Sequence, residues 1–357
     1  MKIGFDAKRY FHNRTGLGNY SRDLVNGLCK YYTEHHYYLF DKHPDLTLLP
    51  ANAEAITPRA NGLLWRSLGM ARDIERYQLD VFHGLSNELP LTQIQGNTKK
   101  IVTIHDVIYR LFPEQYAWLD RTIYHQKTKL AIKHADTIIA TSKATANDLI
   151  RLYNADEKKV SVVYQTCSDN HWQTYDSSTL DAFKNKYSLS HAFVLYVSSF
   201  QTRKNHLQLL KGLKASGNKN IRLVLAGRIG ETFEVCNDYV NNNDLSSQVI
   251  LLTDISQAEL PLLYRSAQSF IYPSMIEGFG IPMIEAACAG LPMAVNNIPV
   301  FREIAPDNNL YFDTIEIASI SKVLEDLTTM QKSDYSNHLR LFTAQFATET
   351  TMQIYTA

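Results

Sequence analysis

Pro273-Ser-Met-Ile-Glu277-Gly-Phe-Gly280-Ile-Pro-Met-Ile-Glu285-Ala-Ala287 is the stretch on which the reading of this chain turns. Just upstream, Ser269-Phe-Ile-Tyr272 is short and apolar, the pattern of a buried strand. Downstream, Pro282 to Ala289 reads as a helix with proline in its first turn and Gly290 as its stop. The order is therefore strand, glycine loop, helix. Glu277 falls on the loop and Glu285, eight positions on, in the first helical turn, so both carboxylates can face one cleft. Gly278 and Gly280 let a ligand approach the backbone, and the amides at a helix start attract anions and hydroxyls. An acidic loop that also offers N–H groups suits a polyhydroxylated anion such as a nucleotide sugar. A single glutamate near a helix start is commonplace on dipole grounds; the pair, with its glycines and proline, is the specific signal.

Working outward, 357 residues suggest two domains. With 45% hydrophobic and 20% charged residues, the composition is that of an ordinary globular protein. Lys+Arg and Asp+Glu both total 36, which gives no electrostatic case for nucleic acid as a partner. The four cysteines, Cys29, Cys167, Cys236 and Cys288, form no C-x-x-C pair, which fits a reducing compartment and no structural zinc. Met1-Lys-Ile-Gly-Phe-Asp6 enters a strand directly, without the look of a signal peptide, and no apolar run has the length of a membrane span. A cytoplasmic location is expected, with room for peripheral contact at the inner face of a membrane.

Strand-like and helix-like segments alternate along the chain. In the first half strands are expected at Ile3–Phe5, Tyr37–Phe40, Val81–Phe82, Ile101–Ile104, Thr137–Thr141 and Val160–Tyr164. Helices are expected at Tyr20–Tyr32, Trp65–Tyr77, about Arg121–Lys133 and Lys143–Tyr153. A polar stretch, Cys167–Ser178, reads as a linker, and the pattern restarts with a helix at Leu180–Tyr187. Strands at Phe193–Val197, Arg222–Ala226, Val249–Leu252, Phe270–Tyr272 and Leu291–Val295 then alternate with helices at His206–Ala215 and Gln257–Ser266. Such alternation predicts parallel sheets with helices on both faces, and two series predict two doubly wound α/β domains. Ligands of such sheets bind at the carboxyl ends of the strands.

Three further motifs sit at such ends. Tyr196-Val-Ser198-Ser199-Phe-Gln-Thr-Arg203-Lys204-Asn205 places two cations where a strand gives way to a helix. Arginine can grip a diphosphate bidentately while lysine adds a point charge, as a leaving diphosphate requires. Thr15-Gly16-Leu17-Gly18-Asn19-Tyr20 is a glycine turn entering a helix, which lets a substrate come close to the backbone. Val102-Thr-Ile-His105-Asp106-Val107 puts a histidine at a strand end, followed by Phe112-Pro-Glu114.

The Glu277–Glu285 segment resembles the E-x7-E element of the retaining glycosyltransferases of family 4, down to the wording E-G-F-G-x-P-x-x-E-A. The Arg203-Lys204 loop resembles that family's Gly-Thr-x-x-x-Arg-Lys-Asn, although Ser198-Ser199 replaces the usual glycine and its neighbour. Thr15–Tyr20 is similar to T-G-I-G-R-Y, with Asn19 in place of the arginine. Asp80-Val-Phe-His-Gly84 and Ala135-Asp-Thr-Ile-Ile-Ala-Thr-Ser142 also match and look structural. The likeness runs from Lys2 to about Asp313 and is most specific in the second half.

What the resemblance implies is two Rossmann-like domains facing across a cleft, the GT-B architecture. Residues 1–168 would form the acceptor side and 169–339 the donor side, with a C-terminal helix at about 340–357, within Ser336–Ala357, packing back on the first domain. The reaction implied moves a sugar, with retention, from a nucleotide diphosphate to a hydroxyl of a glycan or lipid-linked glycan. The wording is most like that of bacterial mannosyltransferases using GDP-mannose. The resemblance makes His105, Arg203, Lys204 and Glu277 the catalytic set. It gives substrate contacts to Gly16, Leu17, Ser198 and Ser199, and to Gly278, Phe279, Gly280 and Glu285. Glu285 would hold the ribose, Glu277 with the amides of Phe279 and Gly280 the sugar, and Arg203 and Lys204 the diphosphate. The departing phosphate would itself take the acceptor's proton. There is no Asp-x-Asp, so neither a metal nor a cofactor is expected, and alanine at Glu277 or Lys204 should abolish transfer in a folded protein.

Two other readings compete. An NAD(P)-dependent oxidoreductase could use Gly16-Leu-Gly18 and Asp41, which ends the next strand 23 residues on. That reading has Ser21 where a third glycine belongs and leaves Glu277, Glu285, Arg203 and Lys204 unused. A non-catalytic nucleotide-sugar-binding protein would not need the intact carboxylate and basic pairs. Arg110, Trp118, Arg121, Tyr124, Lys127, Lys129 and Lys133 form a basic-aromatic region, which suits either an anionic membrane or plain solvent.

Overall fold

Short apolar runs bounded by turn residues form strands buried on both faces, as parallel sheets require. The computed structural model describes residues 1–59 and 64–357. Its first sheet holds β1 (Lys2–Asp6), β2 (His36–Phe40), β3 (Ala53–Ile56), β4 (Val81–Gly84), β5 (Lys99–Ile104), β6 (Thr137–Ala140) and β7 (Val160–Val162). The second holds β8 (Val194–Val197), β9 (Leu223–Ala226), β10 (Val249–Leu252), β11 (Ser269–Tyr272), β12 (Met293–Asn296) and β13 (Leu310–Phe312). Strand orders are β3-β2-β1-β4-β5-β6-β7 and β10-β9-β8-β11-β12-β13, with every pairing parallel. The fold is α/β, two Rossmann-like doubly wound parallel sheets. Each sheet reverses its winding beside its first strand, at β1/β4 and at β8/β11, and ligands of such sheets bind at that switch point.

The chain divides into two units, Met1–Thr166 with Leu341–Ala357, and Cys167–Arg340. The last helix, Ala344–Thr356, packs on helix Gly16–Tyr31. A Cβ on Gly27 would fall 2.6 Å from Thr348 Cγ2, so the helices meet through a glycine notch. Tyr355 completes the contact, its hydroxyl 2.6 Å from Nδ1 of buried His83. Among the described residues no helix is long and apolar enough to cross a membrane.

Several expectations need correction. The helix expected from Tyr20 starts at Gly16, so the glycine turn is its first turn. Ser336–Ala357 is not one helix: a short helix Ser336–Leu339 and a 3₁₀ turn Arg340–Phe342 precede Thr343, whose side chain caps Phe346 N at 3.2 Å. The supposed linker Cys167–Ser178 contains the buried residues Cys167 and His171 and a 3₁₀ turn, Asp169–Trp172. Helix Ser177–Lys186 begins inside it, capped by Asp176 accepting from Thr179 N at 2.7 Å. The strand expected at Leu291 starts at Met293, because the Leu291 amide still closes the preceding turn on Ala286 O at 3.0 Å. β3, β13 and helices Ile108–Leu111, Phe233–Asn242, Pro299–Ile304 and Ile317–Leu327 were not anticipated.

Candidate active site

In the second unit the site is built on the loops leaving β8 and β11, either side of its switch point. After β8 the chain makes a 3₁₀ turn, Thr202–Lys204. Glu231 anchors the turn's start, accepting from Thr202 N at 2.9 Å and Oγ1 at 2.7 Å. Asn205 ends it at φ +61° and donates to Thr314 O at 2.9 Å. Thr314 in turn donates to Pro273 O at 2.7 Å, and Met275 N donates to Arg203 O at 2.9 Å. Uncharged hydrogen bonds, one of them backbone to backbone, thus stitch the two loops together before any charge is considered.

Three of the expected residues meet there. Lys204 Nζ donates to Glu277 Oε1, and Tyr272 Oη donates to the same oxygen at 3.0 Å. Arg203 Nη1 reaches Oε2 at 3.2 Å and Ile276 O at 3.4 Å. Burial alone would push the Glu277 carboxyl up in pKa, but Lys204 and then Arg203 outweigh it and hold the group at about 2. The Tyr272 hydroxyl is driven well above its usual range by burial and by the neighbouring carboxylate, so it stays protonated and donating. The result is a carboxylate that is ionised, oriented and adjacent to two cations.

The remaining expected residues of this unit divide. Gly280 sits at φ +103°, where a Cβ would lie 3.0 Å from both Phe301 Cε1 and Met283 Cε. That conformation starts helix Ile281–Cys288 one residue earlier than expected, so Glu285 is its fifth residue and stands in the second turn, not the first. The phenyl group of Phe279 is buried. Ser198 Oγ lies 3.2 Å from Nε2 of His206, whose pKa is drawn down to about 3 by burial and by Lys204. Ser199 is half-buried beside it. Glu285 belongs to a different network: Tyr264 Oη donates to its Oε2 at 2.7 Å, and His171 Nε2 stands 3.5 Å from its Oε1.

In the first unit His105 follows β5 and is buried. Its Nε2 donates to Leu85 O at 2.9 Å, its Nδ1 lies 3.3 Å from Gln165 Nε2, and Tyr20 meets its ring edge-on at 4.6 Å. Burial lowers its pKa to about 4, so the imidazole is neutral near pH 7. Asn13 folds the Thr15–Gly18 loop back, its Oδ1 accepting from Thr15 N at 2.7 Å and Gly18 N at 3.2 Å. Helix Lys8–His12 separates β1 from Gly16, so the strand-to-helix glycine turn of a dinucleotide site is missing. Asp41 is already engaged by His12 Nε2 and His43 N, both at 2.8 Å.

Leu17 lines a cavity of about 220 Å³ with Arg9, Glu88, Asp106, Tyr116 and Tyr124. Of the basic-aromatic region, Tyr124 (44% exposed) and Lys127 line this cavity, while Trp118 (71% exposed) faces outward on helix Trp118–His134, as do its neighbours Leu119 and Ile123. Among the described residues no three histidine, cysteine, aspartate or glutamate side chains gather as a metal site would.

Sequence reasoning missed Tyr272, Tyr264 and His171. The two tyrosines lie in apolar runs that read as core, and the histidine in a stretch that read as linker. Only their polar atoms, seen in three dimensions, disclose their work.

Two family models match the chain, "Glycosyl transferases group 1" over residues 178–339 and "Glycosyltransferase Family 4" over residues 14–166. O-antigen chain mannosyltransferase B of Escherichia coli is 26% identical over 90% of this chain and 89% of its own length. O-antigen chain mannosyltransferase RfbU of Salmonella typhimurium is 25% identical over 63% of this chain and 60% of its own length. Among solved structures, Anabaena HepE in complex with UDP and glucose superposes with a TM-score of 0.75 at 15% identity, covering 100% of this chain and 99% of that one. Sucrose-phosphate synthase of Thermosynechococcus elongatus gives 0.77 at 18%, covering 100% and 98%.

Proposed function

The chain belongs to glycosyltransferase family 4, and we propose that it transfers mannose from GDP-mannose to a hydroxyl of a glycan or lipid-linked glycan, with retention and without metal or cofactor. The observation that carries this reading is the Glu277–Arg203–Lys204 cluster at the switch point of the second sheet. The names of two relatives favour mannose.

In this reading Arg203 and Lys204 stabilise the charge growing on the departing diphosphate, work for which two fixed cations serve in place of a metal. Glu277 and the backbone of Phe279 and Gly280 hold the sugar, and the carboxylate's low pKa keeps it an acceptor of sugar hydroxyls throughout the working pH range. Glu285, oriented by Tyr264, binds the ribose. Gly16 and Leu17 serve the substrate on the first unit, Ser198 and Ser199 flank the phosphates, and neutral His105 contacts the sugar near its reacting carbon. The phosphate leaving on the same face accepts the acceptor's proton. Trp118, Leu119 and Ile123 with the nearby lysines bring the enzyme to an anionic membrane surface.

The test is hydrolysis and transfer with a panel of nucleotide sugars, the product anomer being read by NMR. GDP-mannose should be the preferred donor, the α-linkage kept and EDTA without effect. Lys204→Met and Glu277→Gln should each lose about 10²–10³ in kcat, the range for removing one preorganised transition-state contact. Near-normal turnover in either variant sinks the role assignment. Preference for a UDP-sugar sinks the donor assignment alone.

A further inference from the structure

We propose that Cys167 and Cys288 form a redox couple: a hydroperoxide closes the two thiols to a disulfide, and the closed form weakens nucleotide binding at Glu285. The effect on Glu285 rests on the ribose-binding role given to that carboxylate above; the disulfide itself does not.

Proximity is the first argument. All four cysteines stand as thiols. The Cys288 thiol donates to Cys167 Sγ at 3.6 Å, although 121 positions separate the two in the chain. A disulfide places its sulfurs at about 2.0 Å, so closure needs a small approach, shared between two side chains and their backbone. Packing alone would be served by any small apolar group at either position. In a reducing compartment such pairs are transient and sensing rather than structural.

Reactivity is the second. Cys288 is partly exposed at the end of helix Ile281–Cys288, whereas Cys167 is 1% exposed. An oxidant therefore meets Cys288 first. With hydrogen peroxide, the Cys288 sulfur attacks one oxygen, the O–O bond breaks and water leaves, giving a sulfenic acid. The Cys167 sulfur then attacks the Cys288 sulfur; the S–S bond forms, the S–O bond breaks and a second water leaves. The two sulfurs give up two electrons and two protons, and the peroxide takes them to become two waters. Cys29 and Cys236 are the contrast. Burial pushes their thiols up to about 12 and about 11, so they stay protonated and unreactive.

Connection to the site is the third. Glu285 lies one turn before Cys288 on the same face of the helix. His171 lies four residues after Cys167, in the 3₁₀ turn Asp169–Trp172. Its Nε2 stands 3.5 Å from Glu285 Oε1, and its ring meets Tyr264 at 5.6 Å between centres. Trp172 Nε1 donates to Cys167 O at 3.3 Å and His171 N to Ser168 O at 3.0 Å, so the turn is tied to Cys167. Drawing the sulfurs together thus moves His171 against Glu285 inside the network that orients its carboxylate. Hydrogen bonds weaken steeply once distance and angle are lost, and a displaced carboxylate grips a ribose diol poorly.

The experiment uses the full chain, reduced with dithiothreitol and then freed of it. The protein is treated with hydrogen peroxide, alkylated in urea and mapped by mass spectrometry. A peptide linking Cys167 to Cys288 should appear, dithiothreitol should remove it, and Cys288→Ser should never form it. GDP and UDP, which share the ribose, are titrated by calorimetry. Whichever of them the reduced protein binds should bind the disulfide form about tenfold more weakly, the size of one lost hydrogen bond to a charged group. Cys288→Ser should bind it alike before and after peroxide. Absence of the linked peptide, with Cys288 driven to the sulfinic acid instead, overturns the proposal. So does a linked peptide that leaves nucleotide affinity unchanged, and so does an equal loss of affinity in Cys288→Ser, which would place the damage elsewhere. Reduced protein that binds neither nucleotide removes the role of Glu285 and the proposal's second half with it. A disulfide that weakens nucleotide binding in a chain that transfers no sugar sinks the transfer reading and leaves the couple standing.

Discussion

Arg203, Lys204 and Tyr272 all donate to Glu277, and only the two cations were legible from sequence. Arginine and lysine announce themselves as charges after a strand; Tyr272, inside that strand's apolar run, does not. The third donor changes what a mutation should do. Alanine at position 277 was expected to abolish activity in an otherwise folded protein. The structure shows its side chain 9% exposed against a Lys204 side chain 10% exposed, so removing the carboxylate strands a buried cation. Breaking a buried pair costs about 3–5 kcal/mol. Glu277→Ala should therefore lower the urea midpoint markedly, whereas Lys204→Met, which leaves the carboxylate with Arg203 and Tyr272, should lower it less. Equal midpoints for Glu277→Ala and wild type would show that the cluster carries function without stability.

At the scale of elements, glycines separate those that shape the site from those that merely allow it. Gly280 is bound to its conformation by both φ and space, and it sets where the signature helix starts. Gly280→Ala should cost about 1–3 kcal/mol in urea unfolding. Gly16, in the first helical turn with nothing within 4 Å of its would-be Cβ, is the contrast. Gly16→Ala should be neutral or stabilise by up to about 1 kcal/mol, because alanine is the better helix former. The strands that sequence reasoning located carry runs of large apolar residues, such as Val249–Leu252, Val-Ile-Leu-Leu. Those it missed lacked them: β3 is Ala-Glu-Ala-Ile and β13 only three residues long. Helix Phe233–Asn242 ends in weak helix formers and stands on its packing.

Across the whole molecule, alternation of short strands and helices foretold two doubly wound sheets, and the resemblance set 1–168 with a helix at about 340–357 apart from 169–339, beside the observed units Met1–Thr166 with Leu341–Ala357 and Cys167–Arg340. Buried histidines are distributed over both units and share one consequence. His83 and His206 are lowered to about 3 and His105 to about 4, each chiefly by burial. Unfolding lets each take up a proton below its ordinary value of 6.5, so the stability they confer is full above about pH 6.5 and is lost as pH falls toward 4 and 3. Each contributes up to about 1.4 kcal/mol per pH unit in that window. Urea midpoints should accordingly fall between pH 7 and 4.5, and a flat profile would contradict the neutral, buried assignments. The connectivity has its own effect in time. Helix Ala344–Thr356, synthesised after the whole of the second unit, fills the notch at Gly27 and meets His83 in the unit that holds Met1–Thr166. On the ribosome, then, the opening unit must wait through the making of the entire second one before its closing piece emerges, and it is the first-born half that finishes folding last.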